Sequence, residues 1–108
     1  MDRKILMELV DGILKIMEER VMSIILYGST ARGTNTEESD VDVAVLMKGT
    51  LDKVTEDKLS EFIVDMNLEY DKVFSVIDID FDMFCKWEKV TPFYRNVSQE
   101  GVVLWKAA

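Results

Sequence analysis

The chain contains no histidine, one cysteine and one proline among its 108 residues. Without histidine it has no imidazole base, no histidine-containing catalytic triad and no histidine-ligated metal site. Its single cysteine, Cys85, excludes an internal disulfide and a cysteine-based zinc site. Any acid–base or metal chemistry therefore depends on carboxylates, with Lys, Tyr or Ser side chains as helpers.

Long hydrophobic runs and basic character are also missing. No apolar run approaches the length that crosses a bilayer, and residues 1–20 carry too many charges for a secretory signal. We therefore expect a cytoplasmic protein without membrane association.

The formal net charge is -8, so direct nucleic-acid binding through a basic face is not expected. A nucleotide substrate stays compatible with this charge, because Mg²⁺ can mediate between carboxylates and phosphates.

The hydrophobic pattern predicts one domain over residues 1–108, of the α/β (α+β) class, with a mixed β-sheet packed with helices. Hydrophobic residues make up 48% of the chain and charged residues 31%, which is typical of a globular domain. We expect helices over residues 2–20, 51–68 and 83–100, the last broken at Pro92, and strands over residues 21–27, 40–47, 73–81 and 102–105.

The segment over residues 27–45, YGSTARGTNTEESDVDVAV, contains most of the functional information. Asp40 and Asp42 are two residues apart in an apolar run, so a strand would direct both side chains to one face. Paired carboxylates suit a divalent cation better than a hydrophobic core. The preceding Gly28-Ser29 turn can offer N–H groups and a hydroxyl to phosphate oxygens. Together these parts indicate metal-assisted chemistry on a nucleoside triphosphate.

The order of these parts resembles the nucleotidyltransferase superfamily that includes DNA polymerase beta, and the size of the chain resembles its minimal nucleotidyltransferase (MNT) family. The family pattern is a Gly-Ser turn, an Arg-Gly pair, a Ser-Asp-x-Asp strand and a later acidic residue. The matching positions here are Gly28-Ser29, Arg32-Gly33, residues 39–42 and a candidate within residues 78–80.

The resemblance implies a small nucleotidyltransferase fold and transfer of a nucleoside monophosphate, AMP from ATP, assisted by two Mg²⁺ ions. Asp40 and Asp42 would be catalytic metal ligands, with Asp78 as the third and Asp80 as the alternative. Gly28, Ser29 and Arg32 would bind the nucleotide phosphates. The base preference stays open because the base pocket has no readable signature in the sequence. The choice between Asp78 and Asp80 stays open because a one-residue error in strand register exchanges the two faces.

The resemblance also implies a partner, a HEPN-domain protein, to which the chain would add AMP as the antitoxin of a toxin–antitoxin system. A non-catalytic protein that neutralises its partner by binding is the alternative, and modification of a small molecule such as an aminoglycoside is a weaker third. A homodimer is an open alternative assembly. Simpler structural roles also exist, such as a surface ion pair from Arg32 to Glu37 or Glu38, or an acidic strand edge at Asp78, Asp80 and Asp82.

Overall fold

A four-stranded mixed sheet forms the centre of the computed structural model, which describes residues 2–28, 31, 33 and 40–107. The strand order is β3-β2-β1-β4. Strand β1 pairs antiparallel with both β2 and β4, whereas β2 and β3 are parallel. The strands are β1 (Val21–Tyr27), β2 (Val41–Met47), β3 (Phe74–Asp80) and β4 (Val102–Lys106).

Four α-helices in the described part of the chain cover the two faces of this sheet. They are α1 (Arg3–Met17), α2 (Lys53–Tyr70), α3 (Phe81–Trp87) and α4 (Pro92–Glu100), and a short 3-10 helix (Glu18–Arg20) joins α1 to β1. The predicted fold class is confirmed, and the predicted bounds agree with these within about three residues. As predicted, Pro92 begins the helix that follows the break, where its missing N–H is harmless.

Helices α1 and α2 cover one face of the sheet and enclose the larger core. Leu9, Ile13 and Met17 of α1 are fully buried there, with Val43 and Val45 of β2. The side chain of Asp2 accepts a hydrogen bond from the Lys4 backbone N–H and so caps α1. This core fixes the central strands, and therefore the positions of the residues at their ends.

Helices α3 and α4 cover the opposite face with a smaller core. Ala44 and Leu46 of β2 are buried here beside Ile79 of β3, Phe84 of α3 and Val97 of α4. Because β2 sends alternate side chains to opposite faces, Asp42 belongs to this second face, where it precedes Ala44 by two residues. No helix of the described residues is long and apolar enough to span a membrane.

Candidate functional site

Asp42 lies near the start of β2, half-buried, between two neighbouring strands. Its Cα partner on β1 is Tyr27 and its Cα partner on β3 is Ser75. Paired residues on adjacent strands point to the same face, with strands about 4.8 Å apart. The carboxylate of Asp42 is therefore flanked by a phenol on one side and a hydroxyl on the other.

The turn after β1 brings the backbone of Gly28 against this carboxylate. Gly28 has a φ of +76°, and a Cβ atom at this position would lie 2.6 Å from Oδ2 of Asp42. Both the left-handed backbone and the close approach require glycine. The two residues are far apart in the sequence, and the pairing of β1 with β2 brings them together.

The second carboxylate of the motif, Asp40, is exposed and directly precedes β2. Burial, and then the negative charge of Asp40, raise the pKa of Asp42 above the ordinary aspartate value. A half-buried carboxylate beside a second negative charge is stabilised by a cation. Both residues supply the oxygen ligands that Mg²⁺ prefers, so this donor pair fits the metal that the motif implies.

Aromatic rings extend the site towards α4. The ring of Tyr27 meets that of Phe93 edge-to-face, with centroids 5.5 Å apart. Burial, and then the charge of Asp42, raise the pKa of the Tyr27 phenol. Phe93 is 38% exposed and therefore belongs to the surface beside the carboxylates as well as to the helix packing.

The structure does not bring Asp78 to Asp42. Asp78 pairs with Val45, three positions along the strands from Asp42, or roughly 10 Å at strand spacing. It also points to the opposite face, the one that Val45 shares with α1 and α2. The expectation that Asp78 completes a three-carboxylate set is therefore not supported by the register of β3.

The alternative, Asp80, lies farther away still. It pairs with Met47, and its Oδ1 accepts a hydrogen bond from the Asp82 backbone at 3.0 Å as the N-cap of α3. Among the described residues, no group of three carboxylate, thiol or imidazole side chains could hold a metal ion. The site that the described residues form therefore has two carboxylates.

Two predicted phosphate-binding residues, Ser29 and Arg32, lie outside the described residues. The sequence does not identify Ser75 or Phe93 as residues of this site. No local pattern identifies these residues, because their positions depend on strand pairing and on helix packing. Alternation along the predicted third strand puts Ser75 on the face of Ile77, but only the β2–β3 register shows that this face meets Asp42.

A carboxylate pair on a strand, with a glycine backbone beside it, is an arrangement that suits metal-assisted phosphoryl or nucleotidyl transfer. Residues 10–103 match the family described as the nucleotidyltransferase domain. The chain belongs to this family, and the predicted resemblance is confirmed.

Two relatives are similar over most of the chain. A candidate protein adenylyltransferase from Methanocaldococcus jannaschii is 34% identical over 107 residues, which cover 96% of this chain and 98% of the relative. The protein adenylyltransferase MntA from Shewanella oneidensis is 31% identical over 96 residues, which cover 86% of this chain and 62% of MntA.

Solved structures share the fold. A toxin–antitoxin complex with AMP-PNP superposes with a TM-score of 0.61 at 22% identity, covering 93% of this chain and 73% of that one. A complex from Shewanella oneidensis, of a tri-AMPylated HEPN toxin with its MNT antitoxin, gives a TM-score of 0.60 at 19% identity. That match covers 99% of this chain and 74% of the other.

Proposed function

We propose that this chain is a Mg²⁺-dependent nucleotidyltransferase that moves AMP from ATP to a hydroxyl group of a HEPN-domain partner, as the antitoxin of a toxin–antitoxin pair. The observation that carries the proposal is the approach of Gly28 to the carboxylate of Asp42. Gly28 belongs to the family's phosphate-binding motif and Asp42 to its metal-binding motif, and the two residues are in contact here.

In this proposal Asp40 and Asp42 hold Mg²⁺, which would neutralise phosphate charge and activate the acceptor hydroxyl. Glycine at position 28 lets the backbone approach the Asp42 carboxylate closely, because a Cβ atom there would lie 2.6 Å from Oδ2 of Asp42. Ser29 and Arg32 are proposed to bind the β- and γ-phosphates, as the family motif implies. The adenylyltransferase names of the relatives support AMP as the transferred group.

The partner is proposed from the solved complexes, which contain an AMPylated HEPN toxin beside an MNT antitoxin. The acceptor would be a hydroxyl of that partner's side chains.

A second candidate is a protein that neutralises its partner by binding alone. The observation that favours it is the placement of Asp78, because the register of β3 leaves only two carboxylates together. A weakened metal site would reduce catalysis while the surface that contacts a partner stayed intact.

The deciding experiment is intact mass spectrometry of a HEPN-domain protein from the same genome, incubated with this chain, ATP and Mg²⁺. A mass gain of AMP that disappears with Asp42→Asn, but persists with Asp78→Asn, supports the transferase. Asp78→Asn is the matched control, since it makes the same chemical change on the other face of the sheet. A stable complex with no mass gain from ATP, GTP, CTP or UTP overturns the transferase proposal in favour of binding alone.

A further inference from the structure

We propose that Ser75 occupies the third ligand position of this metal site. The metal ligands are then two carboxylates and a neutral hydroxyl, a set that binds a divalent cation less tightly than three carboxylates would. The inference rests on the proposed function, which supplies the metal. It assigns a metal-ligand role to a residue that no sequence pattern marks.

The strand register places Ser75 beside Asp42. The two residues are Cα partners on adjacent parallel strands, and both are half-buried. Paired residues of a parallel ladder point to the same face, roughly 4.8 Å apart. A longer acidic side chain at position 75 would therefore reach the space in front of the Asp42 carboxylate.

No other side chain of β3 suits the third ligand position beside Asp42. Ile77 and Ile79 share the face of Ser75, but both are apolar and pack in the core beneath α3 and α4. Asp78 and Asp80 alternate with them and so point towards the opposite face. Ser75 is consequently the one polar side chain that β3 directs to the side of Asp42.

A neutral third ligand lowers the affinity of the site for a divalent cation. Oxygen sites bind divalent cations more tightly as the number of charged ligands rises. With Ser75 in place, the free protein should bind Mg²⁺ or Mn²⁺ weakly, and the phosphate oxygens of a bound nucleotide should supply the missing negative charge. Metal binding is then coupled to nucleotide binding instead of preceding it.

The test is Mn²⁺ binding to the nucleotide-free protein, followed by electron paramagnetic resonance. Ser75→Asp is expected to raise Mn²⁺ affinity at least about tenfold, in line with the gain from an added charged ligand. Ser60→Asp is the matched control, because it adds the same charge at an exposed position of α2. It should bind Mn²⁺ as the wild type does.

A second variant covers the case in which Ser75→Asp does not fold. Ser75→Cys preserves the size of the side chain and should shift the preference of the site from Mn²⁺ towards Cd²⁺, because a thiolate is a softer ligand. The measurement uses a Cys85→Ser background, since Cys85 is an exposed thiol. An unchanged metal preference in this variant would overturn the role of Ser75.

The outcomes separate this inference from the proposed function. If Asp42→Asn removes Mn²⁺ binding but Ser75→Asp behaves like Ser60→Asp, the carboxylate site stands and the third-ligand position of Ser75 is wrong. If adding Asp42→Asn to the Ser75→Asp protein leaves its raised Mn²⁺ affinity unchanged, the metal site itself is wrong, and the proposed function falls with it.

Discussion

Tyr27 and Asp42 face each other across the antiparallel pair of β1 and β2. Burial first, and the Asp42 charge second, raise the pKa of the phenol. A phenol with a raised pKa is neutral at physiological pH, so Tyr27 is not equipped to act as a base there. Its contribution to the site is instead the ring that packs against Phe93.

Tyr27→Phe is therefore expected to leave AMP transfer within about threefold of wild type, since a loss through general-base catalysis would be roughly 10²-fold or more. The variant should also resist alkaline unfolding better. A raised folded-state pKa gives stability that is present below the unfolded pKa near 10 and is lost as pH rises through the folded pKa. Melting temperatures from pH 8 to pH 11 test this, and the advantage should shrink in an Asp42→Asn background.

Gly28→Ala should disrupt the site in a way that Gly49→Ala does not. Both glycines have a positive φ, +76° and +74°, but a Cβ atom meets Asp42 at position 28 and nothing within 4 Å at position 49. Each variant is expected to lose about 1 kcal/mol of unfolding free energy for the left-handed backbone. Only Gly28→Ala should also weaken nucleotide binding, by about tenfold or more. Equal nucleotide affinities in the two variants would contradict the contact.

Asp42→Asn should abolish the stabilisation that nucleotide and Mg²⁺ give to the wild type. At a ligand concentration about a hundred times Kd, bound ligand adds about 2.7 kcal/mol to the free energy of unfolding. The variant should show almost none of this gain.

Without metal, the melting temperature of Asp42→Asn should exceed that of the wild type, because burial and Asp40 oppose a negative charge at position 42. EDTA should return the wild type to its metal-free melting temperature.

Asp52 stabilises the start of α2 through its charge. Its carboxylate accepts hydrogen bonds from Nη1 of Arg20 at 2.8 Å and from Oγ1 of Thr55 at 2.7 Å. The Arg20 bond first, and the Thr55 bonds second, hold the pKa of Asp52 far below its usual range. Stability linked to a lowered pKa is present above the unfolded pKa, near 3.9, and is lost as pH falls through the folded value.

Asp52→Asn should therefore lower the melting temperature above pH 5, and this difference should shrink steadily as pH falls below 4. Asparagine can still cap the helix, so the substitution removes the negative charge and keeps the N-cap. Arg20→Ala removes the first partner and should show the same pH dependence. A difference from the wild type that stays constant from pH 7 to pH 2 would refute the linkage.

Most of the fold could be predicted because its elements are periodic in the sequence. The apolar residues of α1 recur at helical spacing, and Val21–Tyr27 is a strand with the predicted bounds. The role of Gly12 could not be predicted, since from the sequence it only weakens a helix. In the structure the ring of Phe62 from α2 lies against it, so this glycine lets two helices approach closely.

The site could be predicted only where its residues are neighbours in the chain. Asp40 and Asp42 belong to one motif, and their proximity follows from their spacing. The partner of Asp42 on β3 depends on a register that α2 and the core determine, and a shift of one residue would exchange Ser75 for a neighbour on the other face. For this reason the third position was assigned to Asp78 from the motif, and the register does not support it.

Strand β4 is the last element of the described chain, yet it pairs with β1, the first strand. While the ribosome makes this protein, β1 therefore keeps one edge open until residues 102–106 have left the exit tunnel. An open edge can pair with other chains. Nascent chains that stall before β4 emerges should consequently be the form most prone to aggregate, although Tyr27, Asp42 and Ser75 have already been synthesised.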